Sequence, residues 1–479
     1  MRFLVLVCFL VACTKPNPAA TCPQGFCVDA EFGFCDVEGT FSGEPGTCIA
    51  VNCNPGEFAA CRGDQAITCN ATGDDFDLAE CPFGCDVAGC LPCEVDDTSC
   101  VDDDLFRCDA NGTAVFAETC RAGCVGDAEG GARCAHLEPK YAPDVCEQPA
   151  ADPELIFTSS GIFDPNLDTN CNGGVIEQPG TTALCVVHYG TISIPLGVEL
   201  RVIGKPLQRG RVVMFVADSE LSIEGELDVS ATGSVNGPGG GVRQSGGNIN
   251  GGGAGGAGGA TPGAAGGTPT TSGGQMNGGA AAPSPAVFQA LLGGASARQS
   301  VLDEQDFGGG GGGGGVSLVS CTQRVSVSGT IASNGGGGGG GGFLRHGLGG
   351  GAGGVIVLQG IDVSLTGSMF SNDGAGGAGR LLSGLQGFPG EDGQLSDVTA
   401  ASPGNPQDGE GVGGAGGVKG KSPTNGNKPS VTSGVTTGAG GGGGSVGFLQ
   451  IYTPQGIEPT VTPVALSPAL EPTGVVGTR

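Results

Sequence analysis

Tryptophan is absent from this sequence of 479 residues, and aromatic residues make up only 5% of it. A core built on large aromatic side chains is therefore excluded, and any core must be made of Val, Ile and Leu in thin layers. Basic residues are also few, since 20 Lys and Arg stand against 48 Asp and Glu, a formal net charge of -28. This balance argues against a nucleic-acid partner, because a phosphate backbone would be repelled rather than neutralised.

Long apolar runs, histidines and nucleotide motifs are scarce as well. No segment beyond the N-terminal leader approaches the run of about 18 apolar residues that indicates a membrane-spanning helix. The histidines, His136, His188 and His346, do not stand at ligand spacing beside the pair Cys90-x-x-Cys93, so no zinc site is predicted there. GxGxxG matches carry no weight among 100 glycines, and no glycine loop precedes Lys-Ser or Lys-Thr in a P-loop arrangement, so no nucleotide partner is expected.

The first residues have the pattern of an export signal. Arg2 is followed by a short apolar stretch, Phe3–Val11, and a small residue precedes Cys13, which together indicate a secretory signal peptide over residues 1–12. The run Leu10-Val11-Ala12-Cys13 resembles the lipobox of bacterial lipoproteins, in which this Cys is diacylated through sulfur and acylated on its new amino group. An ordinary signal peptide cut elsewhere, with Cys13 paired like any other cysteine, is the alternative.

The lipobox resemblance implies lipidation at Cys13, a lipid-anchored tether over residues 13–21 and attachment to the membrane through the lipid. Thr14 follows the cysteine, rather than the Asp that retains some lipoproteins in the inner membrane. We therefore expect a protein exported to the bacterial outer membrane or cell surface. Three acyl groups make such an anchor durable, whereas one gives only marginal binding.

Cysteine is abundant, and its spacing repeats. The sequence has 22 cysteines, and an even set remains once Cys8 and Cys13 are set aside, which in an exported chain indicates a disulfide framework. The spacing from Cys53 is C-x7-C-x7-C-x11-C-x3-C-x4-C, and from Cys93 it is C-x6-C-x7-C-x11-C-x3-C-x9-C. Each copy leads through a turn glycine into a strand-like run, which is the signature of a hairpin.

These spacings predict small hairpin modules over residues 22–52, 53–92 and 93–146, of which the first is the shortest. Six cysteines per repeat suit three bridges, and the sequence leaves their connectivity open. The bridges would stabilise each module by restricting its unfolded chain, by about 2–4 kcal/mol apiece. The candidate disulfide cysteines of the two repeats are Cys53, Cys61, Cys69, Cys81, Cys85, Cys90, Cys93, Cys100, Cys108, Cys120, Cys124 and Cys134.

A second repeat appears after residue 150. The segments Leu221–Leu227, Val325–Ile331 and Val363–Met369 share the template apolar-Ser-apolar-x-Gly-x-apolar, and another strand-like run lies upstream of each copy. Alternation turns one face of each strand inward, and the glycine permits a sharp bend. Repeats of about 20 residues resemble the rungs of a right-handed, pectin-lyase-like parallel β-helix, in which each rung buries its apolar face against its neighbours.

The resulting fold prediction is a mainly β chain, with disulfide-rich hairpin modules followed by a parallel β-solenoid over residues 150–453. Glycine-rich insertions, the longest over 237–315, interrupt the solenoid, and a Pro-rich tail follows over 454–479. The alternative is an antiparallel β-sandwich with disordered glycine-rich loops. Within the solenoid prediction, the tracts are either disordered, as low complexity suggests, or extended and packed side by side, as backbones without side chains allow.

One loop carries alternating oxygen donors that could hold a hard cation. Asp164, Asn166, Asp168, Asn170 and Asn172 precede a glycine, a pattern that predicts a candidate Ca²⁺ site. The loop departs from the EF-hand, since the twelfth position from Asp168 is Pro179 rather than Glu. An Asx-rich turn without metal is the alternative, and no other cofactor is expected.

The acids of the predicted rungs are Asp218, Asp228, Asp362 and Asp373, with Arg211 and Arg324 near them in register. Polysaccharide-active enzymes of the β-helix class need two or three carboxylates that converge on a sugar. Here the acids are scattered and no aromatic platform accompanies them, so we interpret them as solvated rung faces and predict no catalytic residue.

The composition and the repeats together resemble the glycine-rich and cysteine-rich surface proteins of bacteria with complex envelopes. This resemblance implies a non-catalytic cell-surface lipoprotein with a structural or adhesive role in the envelope, which meets the membrane through its lipid. Two alternatives remain: a polysaccharide-active β-helix enzyme, and a module that binds carbohydrate or matrix without turnover. Envelope or matrix polysaccharide is the candidate partner besides the membrane.

Overall fold

The structure is a computed structural model that describes residues 34–39, 44–49, 53–73, 75–86, 89–91, 93–94, 96–126, 131–179, 181–205, 210–241, 244–245, 253–268, 277–282, 289–297, 308–341, 346–380, 387–405, 411–429 and 438–479. The predicted signal peptide, Cys13, the tether over 13–21 and much of the module over 22–52 lie outside these residues. The chain divides into two compact units, Met1–Cys134 and Ala135–Arg479. Within the described parts, no helix has the length and apolar character needed to cross a membrane.

The N-terminal unit consists of short antiparallel strands. β3, β4 and β5 form one three-stranded sheet, and β8, β9 and β10 form its counterpart in the second repeat, each followed by a small two-stranded ladder. The strands are β1 (Phe34–Asp36), β2 (Thr47–Ile49), β3 (Phe58–Arg62), β4 (Gln65–Cys69), β5 (Phe76–Glu80), β6 (Cys85–Asp86), β7 (Gly89–Cys90), β8 (Thr98–Val101), β9 (Asp104–Cys108), β10 (Ala114–Thr119), β11 (Cys124–Gly126) and β12 (Ala132–Cys134).

Two-residue turns connect the first two strands of each sheet. Gly63 has a φ of 58° between β3 and β4, and Asp102 has a φ of 52° at the same place between β8 and β9. Positive φ is what a tight hairpin turn requires, because it matches the twist of the flanking strands. Gly and Asp tolerate it, which explains the polar tips that the sequence pattern indicated.

The disulfides of the two repeats have the same order. Each repeat joins its first cysteine to its third, its second to its fifth and its fourth to its sixth, so the connectivity that spacing left open is identical in both copies. The pairs are Cys53–Cys69, Cys61–Cys85, Cys81–Cys90, Cys93–Cys108, Cys100–Cys124 and Cys120–Cys134. Cys35 and Cys48 are also disulfide-bonded.

Among the described residues, the strands of the second unit pair parallel, apart from two edge strands. Its elements are β13 (Leu137–Glu138), β14 (Glu154–Ile156), β15 (Gly161–Phe163), a 3-10 helix (Asp168–Asn170), β16 (Gly174–Ile176), β17 (Leu184–Tyr189), β18 (Thr191–Ile194), β19 (Glu199–Val202), β20 (Val212–Ala217), β21 (Glu220–Ile223), β22 (Glu226–Asp228), β23 (Gln244–Ser245), β24 (Ser296–Ala297), β25 (Gly315–Ser320), β26 (Arg324–Val327), β27 (Thr330–Ala332), β28 (Val355–Gln359), β29 (Asp362–Leu365), β30 (Ser368–Phe370), β31 (Phe448–Pro454), β32 (Thr460–Val461), β33 (Ala465–Ser467) and β34 (Gly474–Thr478).

Three sheets run through this unit, and the chain visits them in turn. Sheet 1 has the order β13-β34-β31-β28-β25-β20-β17-β16, sheet 2 the order β14-β18-β21-β26-β29-β32, and sheet 3 the order β15-β19-β22-β27-β30-β33. Only β16 and β13, at the two edges of sheet 1, pair antiparallel with their neighbours. The β-helix-like fold class predicted from the repeat is therefore confirmed, and the antiparallel sandwich is wrong.

Apolar side chains stack in columns inside the coils. Val187, Phe215, Leu318, Leu358 and Ile451 are neighbours in the register of sheet 1 and belong to one buried cluster. Residues one place along on each strand point to the opposite face, as the pleat of a strand requires. The core therefore consists of thin layers of aliphatic side chains, as the composition indicated.

The template glycines lie at the corner between sheets 2 and 3. A Cβ on Gly329 would overlap the carbonyl oxygen of Gly225 in the preceding coil, and a Cβ on Gly367 would overlap that of Gly329. The need for glycine here is therefore the close approach of stacked backbones, rather than the sharp bend that the sequence pattern suggested.

Both predicted boundaries of the solenoid differ from the structure. The second cysteine repeat ends at Cys134 rather than at residue 146, since Cys146 pairs with Cys321 in the second unit. Residues 454–479, which were set apart as a tail because of their prolines, supply β32, β33 and β34, one strand to each sheet. Pro459, Pro463, Pro468 and Pro472 lie in the connections between these strands, where no ladder N–H is required of them.

The described glycine tracts pack together as an ordered bundle. We call this the glycine bundle; it comprises residues 253–268, 277–282, 289–297, 308–314, 335–341, 346–354, 374–380, 387–405, 411–429 and 438–447. The N–H groups of three successive residues donate to backbone carbonyl oxygens in three different segments of the bundle. Gly440 donates to Asn427, Gly441 to Gly377 and Gly442 to Ala254. The N–H groups of residues 443, 444 and 445 donate to the same three segments in the same order, at the carbonyl oxygens of residues 424, 374 and 257.

A hydrogen-bonding direction that repeats every third residue means one backbone turn per three residues, the geometry of a polyproline II helix. Such a helix makes no hydrogen bond within itself, so its N–H and C=O groups can form hydrogen bonds with neighbouring segments on all sides. A Cβ on Gly440 or Gly441 would overlap the carbonyl oxygen of Val412 or Leu348. The tracts therefore pack backbone on backbone, and of the two interpretations of their sequence, side-by-side packing is the one that holds for the described residues.

Candidate functional site

The predicted calcium loop is closed on the first coils by its own hydrogen bonds. Asp164 accepts from the backbone and side-chain N–H groups of Asn166 at 2.9 and 2.8 Å, and the Asn170 amide donates to the Asp164 carbonyl. Asp168 pairs with the Arg211 guanidinium at 2.6 Å. The arrangement contains the Asx turns of the alternative interpretation, and calcium binding stays a prediction that requires these groups to exchange their partners.

Asn172, the last of the five loop residues, faces a different partner. Its side chain exchanges two hydrogen bonds with the backbone of His188, at 2.7 and 2.8 Å. The disulfide Cys171–Cys185 fastens the same part of the loop to β17. The end of the loop is therefore tied to sheet 1.

The rung acids belong to three different sheets and do not converge. Asp218 follows β20 of sheet 1, Asp228 ends β22 of sheet 3 and lies 3.8 Å from Arg201, and Asp362 begins β29 of sheet 2. Arg324 is the register neighbour of Asp362 and lies 3.6 Å from Glu220. These carboxylates therefore do not share one sheet, and the absence of a catalytic residue stays a prediction.

Asp373 is the exception, because it is fully buried among glycine backbones. One of its carboxyl oxygens accepts from the N–H of Gly417, and the other has no partner among the described residues. Burial raises the pKa of Asp373 well above its usual range, although the Gly417 N–H acts against this. The environment therefore favours the neutral acid.

Three successive strands of sheet 1 bring an imidazole, a carboxylate and a sulfur together. Tyr189, Ala217 and Ser320 are register neighbours at the ends of β17, β20 and β25. His188 precedes the first of these, and Asp218 and Cys321 follow the other two. The ligand atoms of these three side chains all lie within 4.8 Å of one another. We call these three residues, with Cys146 bonded to Cys321, the His188 corner.

Hydrogen bonds hold the His188 corner in place. The Nε2 atom of His188 lies 2.7 Å from one oxygen of Asp218, and the N–H of Ala150 donates to the other at 2.8 Å. Burial raises the pKa of Asp218, but these two hydrogen bonds outweigh it and lower the pKa below the ordinary value. The corner therefore favours an ionised carboxylate.

A segment that we call the strap, residues 135–153, lies over the outer face of sheet 1 at this corner. The N–H of Leu137 donates to the Cys321 carbonyl at 2.8 Å, and that of Lys140 to the side chain of Gln359 at 2.8 Å. Gln359 is fully buried beneath it. The disulfide Cys146–Cys321 closes the strap covalently.

The N-terminal unit contains a cleft between its two cysteine repeats, lined in part by aromatic and aliphatic side chains. Its volume is about 400 Å³, and its lining includes Phe83 and Leu91 from the first repeat and Phe106 from the second. Phe106 also packs edge-on against Phe116, with ring centroids 6.0 Å apart, and Phe116 is 56% exposed. An aromatic surface is thus present in this unit.

Sequence reasoning missed the cleft, the His188 corner and the three-residue turn of the glycine tracts. One signal was available for the corner: after each repeat uses its six cysteines, only Cys146, Cys171, Cys185 and Cys321 remain downstream, an even set. Comparison with protein-family models, with curated proteins and with solved structures finds no match to this chain.

Proposed function

We propose that this chain is a non-catalytic lipoprotein of a bacterial cell surface, anchored through Cys13, whose second unit is a structural or adhesive element of the envelope. The observation that carries the proposal is the glycine bundle. Backbone hydrogen bonds join its segments to neighbours in three directions, which makes a rigid body that carries few reactive side chains. Rigidity of this kind suits a protein that bears load or holds a surface at a distance.

A further feature supports an exported protein. The disulfides of the N-terminal unit, with Cys146–Cys321 and Cys171–Cys185 in the second, are typical of exported proteins. The proposal also gives the coil the right-handed sense of the parallel β-helices that its rung pattern resembles, since crossovers between parallel strands are right-handed in nearly all cases.

Metabolic labelling with palmitate tests the anchor. We expect the label to follow the full chain into the membrane fraction, and Cys13→Ala to lose both the label and the membrane association. Cys8→Ala is the matched control, because that cysteine lies in the predicted leader, and it should keep the label. Label that persists in Cys13→Ala would refute lipidation at this residue.

Incubation with uronate and neutral polysaccharides tests the absence of catalysis. We expect no new reducing ends and no unsaturated products. The appearance of either would contradict the structural proposal and favour the polysaccharide-active alternative.

A second candidate function, binding of carbohydrate or matrix without turnover, is favoured by the cleft between the cysteine repeats. Aromatic rings such as those of Phe83 and Phe106 offer apolar faces to a ligand. We expect retention of the protein on a glycan matrix, reduced by Phe106→Ala and unchanged by Leu196→Ala, which alters an exposed apolar residue of the second unit. Equal retention of both variants would remove the cleft from consideration.

A further inference from the structure

The His188 corner has the ligand types of a transition-metal site, with its sulfur held in a disulfide. Imidazole nitrogen, carboxylate oxygen and thiolate sulfur are the three donors that Zn²⁺ takes in proteins, and four such donors complete a tetrahedron. His188, Asp218 and Cys321 supply three of them within 4.8 Å of one another, and Cys146 adds a second sulfur bonded to the first. None of these residues belongs to the Cys90-x-x-Cys93 pair, whose cysteines lie in separate disulfides.

The strands that carry three of these ligands belong to the coils, while the strap adds the Ala150 N–H that holds Asp218. His188, Asp218 and Cys321 extend from β17, β20 and β25, whose parallel ladders and apolar column hold the strand ends in register. The side chains of His188 and Cys321 are largely buried, so a bound ion would be shielded from bulk water. Of the four ligands, Cys146 is the one that comes from the strap, and the disulfide is what fixes its sulfur beside Cys321.

We propose that the His188 corner is a redox-gated metal site of the zinc class. In the oxidised protein the Cys146–Cys321 bond occupies both sulfurs. An external dithiol reduces this bond: the dithiol is oxidised to its own disulfide, and its two electrons and two protons convert Cys146 and Cys321 to thiols. A divalent ion then binds, and the two thiol protons leave to solvent while Asp218 and neutral His188 complete the ligand set.

The variant Cys146→Ser tests the site without any reductant, because it leaves Cys321 as a thiol beside His188 and Asp218. With Co²⁺ as the probe, we expect a thiolate-to-metal charge-transfer band in this variant and no such band in the oxidised wild-type protein. The doubly substituted Cys146→Ser/Cys321→Ser protein is the matched control and should show no band. Adding His188→Ala or Asp218→Asn to Cys146→Ser should weaken Co²⁺ binding by about tenfold or more.

A folded Cys146→Ser protein without the band, or a band that survives loss of Cys321, overturns the proposal. If Cys146→Ser does not fold, the wild-type chain decides the question. It is treated with a limiting dithiol, with and without Zn²⁺, and then alkylated and mapped by mass spectrometry. Selective protection of Cys146 and Cys321 by Zn²⁺ is the expected result, and equal alkylation in both samples contradicts the site.

Discussion

The two units of this chain are stabilised by different means. Among the described residues of the N-terminal unit, the buried apolar side chains other than cysteine are Phe34, Ala66, Ile67 and Leu105, and each hairpin repeat is closed by three disulfides. The second unit has continuous columns of aliphatic side chains and, beside them, the glycine bundle. A chain poor in aromatic residues can thus supplement ordinary core packing with covalent bridges in one region and with backbone packing in another.

The difference follows from where each unit places its apolar residues. A small module buries too little surface to fold on hydrophobic contacts alone, so bridges that restrict the unfolded chain supply the missing stability. The coils repeat their apolar template and bury it against the next copy, so each added coil extends the core. The glycine bundle buries small apolar side chains, such as the cluster of Ala257, Ala295, Ala297 and Ala352, and its segments are joined by amide hydrogen bonds.

The largest effect should come from removing a bridge in the N-terminal unit. Cys100→Ser with Cys124→Ser should destabilise that unit by about 4 kcal/mol and leave the second repeat unfolded at 37 °C. The matched change in the second unit, Cys171→Ser with Cys185→Ser, should cost less, because β17 stays in its ladder and apolar column. Differential scanning calorimetry with limited proteolysis measures both, and equal losses would erase the distinction between the units.

A single methyl group in the glycine bundle should have the next largest effect. Gly441→Ala places a Cβ against the Leu348 carbonyl oxygen and should cost about 3 kcal/mol, at the upper end of overpacking. Gly161→Ala is the matched control, because a Cβ there meets nothing within 4 Å.

Thermal unfolding of the second unit measures this pair. We expect a clear drop in melting temperature for Gly441→Ala and no loss for Gly161→Ala. If Gly441→Ala unfolds like the wild-type protein, the tracts do not pack backbone on backbone.

Acid should produce the smallest effect, and it should act on both units. Hydrogen bonds lower the folded-state pKa of Asp218 in the second unit and of Asp109 in the first, where the donors are the N–H groups of Thr113 and Asn111. A lowered pKa contributes stability that is present above the unfolded pKa, about 3.9, and is lost as pH falls through the folded value. Asp218→Asn should reduce the loss of unfolding free energy at low pH in the second unit only, and Asp109→Asn should do so in the first unit only.

Urea unfolding curves between neutral pH and pH 2, followed with a probe in each unit, measure this prediction. If a variant loses unfolding free energy with falling pH as steeply as the wild-type protein in the unit that it alters, the assignment of that carboxylate is contradicted.

The fold was predictable wherever side chains carry a period. The alternation in Val325–Ile331 and its copies indicated parallel coils, because a face that repeats at fixed spacing has to meet its own copy. The hairpin repeats were equally readable, since cysteine spacing marks equivalent positions. The pairing of the cysteines could not be predicted from the sequence, because six cysteines at one spacing permit many pairings.

The bundle and the corner were hidden for physical reasons. Glycine has no side chain to show a period of three, so 438–444 reads the same whether it is disordered or packed. The His188 corner depends on the register of β17, β20 and β25, which brings together residues that are 30 and more than 100 positions apart in sequence. The prolines of 454–479 suggested a tail, but most of them lie in the short connections between strands and leave β32, β33 and β34 free to pair.

Amide hydrogen exchange of residues 438–445 tests the central claim most directly. Every N–H in this stretch donates to another segment of the bundle. The N–H of Ala439 donates to the Nδ1 atom of His346, and the others donate to backbone carbonyl oxygens. We predict protection of these amides comparable to that of β25 and β28 in the coils. Exchange at the rate of an unstructured glycine chain would contradict the ordered bundle and, with it, the structural role assigned to the second unit.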